Sequence, residues 1–529
     1  METMYFKITN KTESHHGYQY IDGLNVLKEP FVEIGSCVPG GFYFTDAEHI
    51  CNFLDFGCYL RDITLPINDI DFKMVKDDSD KWRANKIILG KRYCLNDIET
   101  WKYLIKSGAN IFALNNYALR QAVRNNHIKL VEYLVNNGAD VCANYDHAIK
   151  IATEINNIDM VRYLISLGAN TNADDNYALK FSVKYGYFQM VDFLVKNGAD
   201  ITADDNFAVK TAAENGYLDM LIFLITNDPN ANANAMDYAL ALGAKNGHLD
   251  IVSFLLKRGA NIRAYDNYAI ILASKNGHFE IVKFLIENDV NNVNNVNNVN
   301  NVNNVNNVNI ATNNYAISWA ANNGHFNIVK LLIENGADAC ANNNYALVWA
   351  ANNGHFNIVK LLIENGANCR AHDNYAIRLA ATNGYFDIVE FLLTNNGPNV
   401  NYNIDYNIDN NNNNAMKWAI QNNCDRMVIL LLKMGINACA NNNYAIGLAA
   451  QNGCLSVVKI LIENGANVGA NNNYAIKIAA QSGYLDVVEL LVKNGANVCA
   501  DNNYAVKHAS KNGHVGVVNF LLVHGADKN

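Results

Sequence analysis

The chain has 529 residues, half of them hydrophobic and 17% charged, with 41 Lys and Arg against 50 Asp and Glu for a formal charge of -9. That is enough apolar material for a large folded core and too much for a disordered chain. The negative balance argues against nucleic-acid or anionic-membrane binding, which needs a positive field.

Residues 1–90 predict a small α+β head. Tyr5–Ile8, Gly41–Phe44, Tyr59–Leu65 and Trp82–Leu89 are rich in strand-favouring residues. Asp46–Phe56 predicts a helix with Thr45 as its N-cap, Glu48 three residues on, and Ile50, Phe53 and Leu54 along one face. The start, Met1–Lys7, lacks the cationic and then apolar pattern of a secretory signal. No apolar run reaches the roughly 18–20 residues of a membrane span. A cytoplasmic protein is expected, with its 11 cysteines as free thiols.

From about Lys91 onward the sequence repeats every 30 residues. Tyr315, Tyr345 and Tyr375 mark one slot, and so do Tyr444, Tyr474 and Tyr504; Ala follows each. The stretch Trp319–Ala337 is identical to Trp349–Ala367. A fixed period in this range predicts a solenoid. Each unit reads as two short helices. Asn313 and Asn314 are candidate N-caps for the first, which would bury Ala316, Ile317, Ala320 and Ala321. Asn323-Gly324 ends it. The second helix would bury Phe326, Val329, Leu332 and Ile333, and Gly336 follows in a left-handed conformation. Such short helices are marginal alone, so stacking must stabilise them.

The motifs Ala320-Ala321-Asn322-Asn323-Gly324-His325 and Ile328-Val329-Lys330-Leu331-Leu332-Ile333-Glu334-Asn335-Gly336-Ala337 resemble the ankyrin repeat. The 30-residue units with Asn-Asn-Tyr-Ala resemble ankyrin repeat proteins of giant amoeba viruses of the mimivirus type, as does the non-repeat start. The resemblance implies a mostly α fold: an ankyrin-type solenoid of stacked helix pairs that binds proteins. Two features depart from the family pattern. Tyr315-Ala316-Ile317-Ser318 replaces Thr-Pro-Leu-His, and three residues are missing between Ala337 and Tyr345. A short loop is therefore expected in place of the projecting finger.

The array is interrupted. The organisation expected is a head at 1–90, repeats at 91–289, an Asn/Val low-complexity insert at 290–310, repeats at 311–396, an Asn-rich insert at 397–414, and repeats at 415–529. The Asn-Asn-Val triplets of Val290–Val308 predict a loop.

Chemical motifs are few. No phosphate loop, dinucleotide fingerprint or His-Glu-x-x-His sequence occurs, and neither metal nor cofactor is expected. Cys142, Cys340, Cys439 and Cys499 share a repeat slot, too far apart for one zinc ion, and read as packing residues. His127, His248, His278, His325, His355 and His514 share a slot with several tyrosines, which fits hydrogen bonding at a helix junction. Trp319, Trp349 and Trp418 stand where Leu or Ile occurs elsewhere and read as core.

The function expected is a non-catalytic scaffold for a protein partner, a host protein if the chain is viral. Candidate binding residues are Arg120, Lys150, Lys180, Lys210 and Lys507 on first helices, with Asp174, Asp175, Asp204 and Asp205 in loops. The alternative is an enzymatic head. His16-Gly17 and Gly41-Phe42-Tyr43-Phe44 resemble fragments of ADP-ribosyltransferases, which implies His16 on a ribose hydroxyl and Tyr43 on nicotinamide. The third element of that family, a glutamate, has no counterpart.

Overall fold

A computed structural model describes residues 3–15, 17–34, 40–77, 80–228, 233–296, 310–395, 411–433 and 435–527. The strand-favouring segments of the head form β1 (Tyr5–Thr9), β2 (Ser14–His15), β3 (Tyr18–Gln19), β4 (Gly23–Val26), β5 (Phe42–Asp46), β6 (Tyr59–Thr64), β7 (Met74–Asp77), β8 (Lys81–Ala84) and β9 (Lys86–Cys94). Seven of them build one antiparallel sheet in the order β4-β9-β6-β1-β5-β8-β7, and β2 and β3 pair separately. The sheet buries Phe42, Phe44, Ile63, Ile87 and Leu89 with Tyr20.

Two expectations for the head are corrected. Trp82–Leu89 is two strands, because at Asn85 the chain leaves β8, which pairs with β5, and enters β9, which pairs with β6. The helix expected over Asp46–Phe56 is a 3-10 helix of Ile50–Phe56, without a side-chain cap. Thr45 lies in β5, and its hydroxyl donates to the Asp80 carbonyl. Asp46 instead accepts the His49 N–H at 3.0 Å. Strand pairing takes the residues that would have capped the helix. The head also closes the first repeat: Trp101 Nε1 donates to Leu95 O at 2.7 Å and Gln121 Nε2 to Asp55 Oδ1 at 2.8 Å.

Beyond the head, 27 α-helices follow among the described residues, starting with Ile98–Lys106 and ending with Val515–Val523. Contacts divide the chain into two units, Met1–Ala239 and Leu240–Asn529. In the second unit, Ala341–Asn352 and Phe356–Glu364 form one helix pair. Ala316, Ile317, Ala320 and Ala321 are buried, as are their equivalents Ala346, Leu347, Ala350 and Ala351 in the next pair. The second helix buries Ile328, Val329 and Leu332, whereas Phe326, expected inside, is exposed. Ile328, Val329 and Leu332, at i, i+1 and i+4, form the buried stripe, and Phe326 in the first turn lies at its open edge.

The second helix ends in a Schellman turn. Ala337 N donates to Leu332 O at 2.9 Å, Gly336 N donates to Ile333 O at 3.0 Å, and Gly336 has φ 92°. The next residue, Asp338, accepts the Cys340 N–H at 2.8 Å in an Asx turn. Residues 335–340 thus connect the helices as a short loop.

The Asn-rich opening typified by Asn342-Asn343-Asn344 is not a set of N-caps. Asn342, Asn343 and Asn344 have φ of 50°, 57° and 64°, a left-handed turn ahead of the right-handed helix, and the same triplet recurs at Asp174-Asp175-Asn176 and Asn471-Asn472-Asn473. Asn and Asp enter this region at low cost, which accounts for the composition. The third residue reaches forward into the next unit. Asn116, Asp146 and Asn176 in the first unit accept the N–H of Asp140, Asn170 and Asp200 at 3.1, 2.8 and 2.9 Å. Asn314 in the second unit likewise accepts the Asp338 N–H, at 3.1 Å, and so serves its neighbour, not its own helix.

A second ladder runs through Asn-Gly-His. Asn353 Nδ2 and His355 Nε2 both donate to Asn322 O, at 2.8 and 3.1 Å, and Asn512 and His514 do the same to Gln481 O. The shared histidine slot therefore makes the junction bonds expected of it. Gly324 (φ 81°) leaves the space that the His355 ring fills: a Cβ there would lie 2.8 Å from Cε1.

Stacking continues across the Asn/Val insert. Asn323 Nδ2 and His325 Nε2 donate to Lys275 O at 2.6 and 3.1 Å, the same junction at a sequence distance lengthened by the insert. The helix Phe279–Val296 runs on into the triplets, and a new helix starts at Ile310. The loop expected from Val290 is thus helical as far as Val296, since Val every third residue is compatible with a helix; the rest of the tract lies outside the described residues. So does most of the Asn-rich insert, with the next helix being Asn411–Gln421.

Candidate partner-binding face of the repeats

In a first helix, the signature aromatic and the residue four positions on lie along one edge, with the residue three positions on beside them, half-buried where it is lysine and buried where it is Ser318 or Val348. In the first unit this edge is charged. Lys150 Nζ donates to Asp174 at 2.8 Å, Lys180 to Asp175 at 2.7 Å and to Asp204 at 3.3 Å, and Lys210 to Asp205. The lysines are half-buried and the aspartates exposed. The hydrogen bond and charge of Lys150 hold the Asp174 carboxyl below its usual range. Burial pulls Lys180 down, but its bonds to Asp175 and Asp204 outweigh that and leave it raised. Lys150 and Lys210 also lie over the rings of Tyr177 and Tyr238, at 5.7 and 5.1 Å. Arg120 donates to the carbonyls of Asn115 and Leu114 and covers Tyr117.

In the second unit, from Tyr315 to Trp349, the corresponding residues are uncharged. Ser318 and Val348 fill the lysine slot, and the turn is Asn342-Asn343-Asn344. The edge is aromatic instead: Tyr315 is 57% exposed, Trp319 39%, Tyr345 50% and Trp349 37%. Tyr345 and Trp349, one turn apart, hold their rings 6.0 Å apart. Lys275 sits 4.2 Å over Trp319 at one end, and Arg378 lies against Tyr375 at the other. Trp319 and Trp349 are therefore surface residues and not core. Their slot is only half-buried even where Leu379 or Leu448 fills it, so an indole overhangs.

Profiles described as ankyrin repeats match residues 91–135 (many copies) and 142–205, 209–297, 292–373, 370–442 and 446–529 (three copies). The chain belongs to the ankyrin repeat family. Its relatives include proteins of Acanthamoeba polyphaga mimivirus. One named as an ankyrin repeat protein, R868, is 50% identical over 115 residues, which is 21% of this chain and 57% of that relative. Another, named as the uncharacterized protein R869, is 48% identical over 124 residues, 23% of this chain and 90% of that relative. A third, the ankyrin repeat protein R229, is 44% identical over 133 residues, 23% and 43% respectively. The matches thus span about half the length of the first and third of these relatives.

Ankyrin stacking brings the predicted charged residues together in pairs, so Lys150, Lys180 and Lys210 with Asp174, Asp175, Asp204 and Asp205 form one ladder. Arg120 stays on its own turn. Lys507 is exposed on Ala500–Lys511, where the ladder is represented by Lys477 with Asp501 at 3.0 Å. The aromatic edge was missed from sequence; its signal was the co-occurrence of Tyr and Trp four residues apart in units that lack charge. Cys340, Cys439 and Cys499 do more than pack: each thiol donates to the carbonyl of a following-unit glycine, Gly366, Gly465 and Gly525, at 2.9, 3.0 and 3.2 Å. Among the described residues no group of three or more His, Cys, Asp or Glu could hold a metal ion, and no helix is long and apolar enough to cross a membrane.

In the head, His16 lies outside the described residues. The Tyr43 hydroxyl accepts from Arg83 Nη1 at 2.9 Å, and its ring faces the cations of Lys81 and Arg83 at 5.5 and 5.6 Å.

Proposed function

We propose that the chain is a non-catalytic scaffold that holds a protein partner on the exposed edge of its first helices, in the cytoplasm of an infected amoeba. The single observation that carries this reading is the aromatic edge Tyr315, Trp319, Tyr345 and Trp349, because Trp and Tyr concentrate binding energy at interfaces and none of these four side chains has a charge to desolvate. The charged ladder of the first unit is satisfied internally and contributes selectivity more than affinity. A transferase head draws no support from Tyr43, whose ring already faces two cations and would repel a cationic nicotinamide.

The test is affinity capture from amoeba lysate with the full chain, scored by mass spectrometry. Replacing Trp319 and Trp349 together by Ala should remove a partner that the parent captures, while replacing Lys150, Lys180 and Lys210 should retain it. Recovery of the same proteins by the double tryptophan variant would count against the aromatic edge.

A further inference from the structure

The head contains a feature that the repeat surface does not explain. Strands β1 and β5 pair only at Tyr5↔Asp46 and Phe6↔Thr45. Beyond that point they separate, and Lys7 Nζ crosses the gap to donate to Tyr43 O at 2.7 Å. The opening is a cavity of about 210 Å³ lined by Phe6, Tyr20, Phe44, Ile50, Phe53 and Phe56 around Lys7. Lys7 is 7% exposed and lies 4.8 Å over the Tyr20 ring.

Among the described lining residues there are two lysines and a histidine but no Asp or Glu. Lys7 makes no ion pair among the described residues; its ammonium has three donors, and one is used on the Tyr43 carbonyl. A buried ammonium without a carboxylate is costly, and a buried charge is normally paired. Burial accordingly lowers the Lys7 pKa to about 8, still leaving it mostly protonated at neutral pH. The cavity thus combines an apolar wall with one under-used buried cation, the arrangement of a small-ligand pocket whose few polar groups set specificity. At about 30 Å³ per water, about 210 Å³ is the space of about seven waters, room for a small organic molecule.

We propose that this cavity binds a small monocarboxylate with an aromatic or aliphatic body, the body against Phe44, Ile50, Phe53 and Phe56 and the carboxylate on Lys7 Nζ. The proposal is independent of partner binding by the repeats. It assigns to the head a ligand class of its own, and a reason for Lys7 to stand where an apolar residue would pack more cheaply.

Calorimetric titration of the full chain with phenylacetate, phenylacetamide and inorganic phosphate tests it. Phenylacetate should bind at one site, and the uncharged amide about tenfold or more weakly, because a charge-assisted bond is lost. Phosphate, lacking the apolar body, should not bind there. Lys7→Met should bring phenylacetate down to the level of the amide, and Phe53→Ala, at the wall, should weaken both organic probes while leaving Lys7 in place. No binding of phenylacetate to the parent, equal binding of acid and amide, or an unchanged preference in Lys7→Met would each overturn the proposal. So would phosphate binding as tightly as phenylacetate. Should Lys7→Met not fold, Phe53→Ala still decides: unaltered affinity there places the probe outside this cavity.

Discussion

Asn344 Oδ1 accepts the backbone N–H of Asn368 at 2.6 Å, across the boundary between two repeats. Asn344 is itself in the left-handed region, with φ 64°, and is 6% exposed. One side chain therefore serves both the turn that opens its own helix and the loop that leads from its helix pair into the next. Asn344→Ala should lower stability by about 2 kcal/mol, from an unpaired buried N–H and from the strain of Ala at positive φ. Asn344→Asp should be nearly neutral, since Asp146 makes the same bond to Asn170 in the first unit. Urea unfolding of both variants checks this; equal losses for Ala and Asp would mean that the acceptor does not matter.

Gly324 and Gly366 both have positive φ, 81° and 93°, but a Cβ at Gly366 meets nothing within 4 Å while one at Gly324 meets the His355 ring at 2.8 Å. Gly366→Ala should cost only the conformational strain, about 1 kcal/mol. Gly324→Ala should cost about 1–2 kcal/mol more, because the ring must move and give up the Asn322 carbonyl. Comparing the two melting curves separates collision from strain, and identical shifts would dismiss the collision.

Lys7 supplies a pH dependence with a definite sign. Its pKa is lowered to about 8 by burial, against 10.5 as the ordinary value. Between those values the unfolded chain binds more protons, so stability rises with pH there, and the full penalty stands below about pH 8. Lys7→Met should accordingly stabilise the head by about 1–3 kcal/mol near pH 7, with the gain shrinking to less than about 1 kcal/mol by pH 10. Denaturant midpoints of parent and variant across this range provide the measurement. A gain that does not vary with pH would show that lost charge burial is not its source.

The insert after Asp289 should be dispensable. Removing Asn292–Val308 restores the regular nine-position spacing to Tyr315, and the Lys275 junction with Asn323 and His325 already exists with the insert present. Closing a longer loop costs only about 0.6 kcal/mol per doubling, so the melting temperature should move by no more than about 2–3 °C. A much larger fall would assign a stabilising role to the helical extension through Val296.

The ankyrin fold was legible from sequence because it rests on local and periodic signals. The buried Ala316, Ile317, Ala320 and Ala321, the breaking Gly324 and the left-handed Gly336 are each dictated by helix geometry and by glycine's lack of a Cβ, so a 30-residue alignment of the chain with itself was enough. The head's strands at Tyr5 and Tyr59 were legible for the same reason. Other features depend on residues far apart in sequence, and only the tertiary structure decided them. Asn314 looks like an N-cap until a neighbouring backbone N–H, 24 residues on, claims its side chain. Trp319 looks like core until stacking leaves its slot half-open. Thr45 looks like a cap until β5 pairs with β1. Lys7 looks like an ordinary strand residue until β1 and β5 part around it. In each case one residue type satisfies two environments equally well by itself, and the free energy that chooses between them comes from a partner that folding brings near.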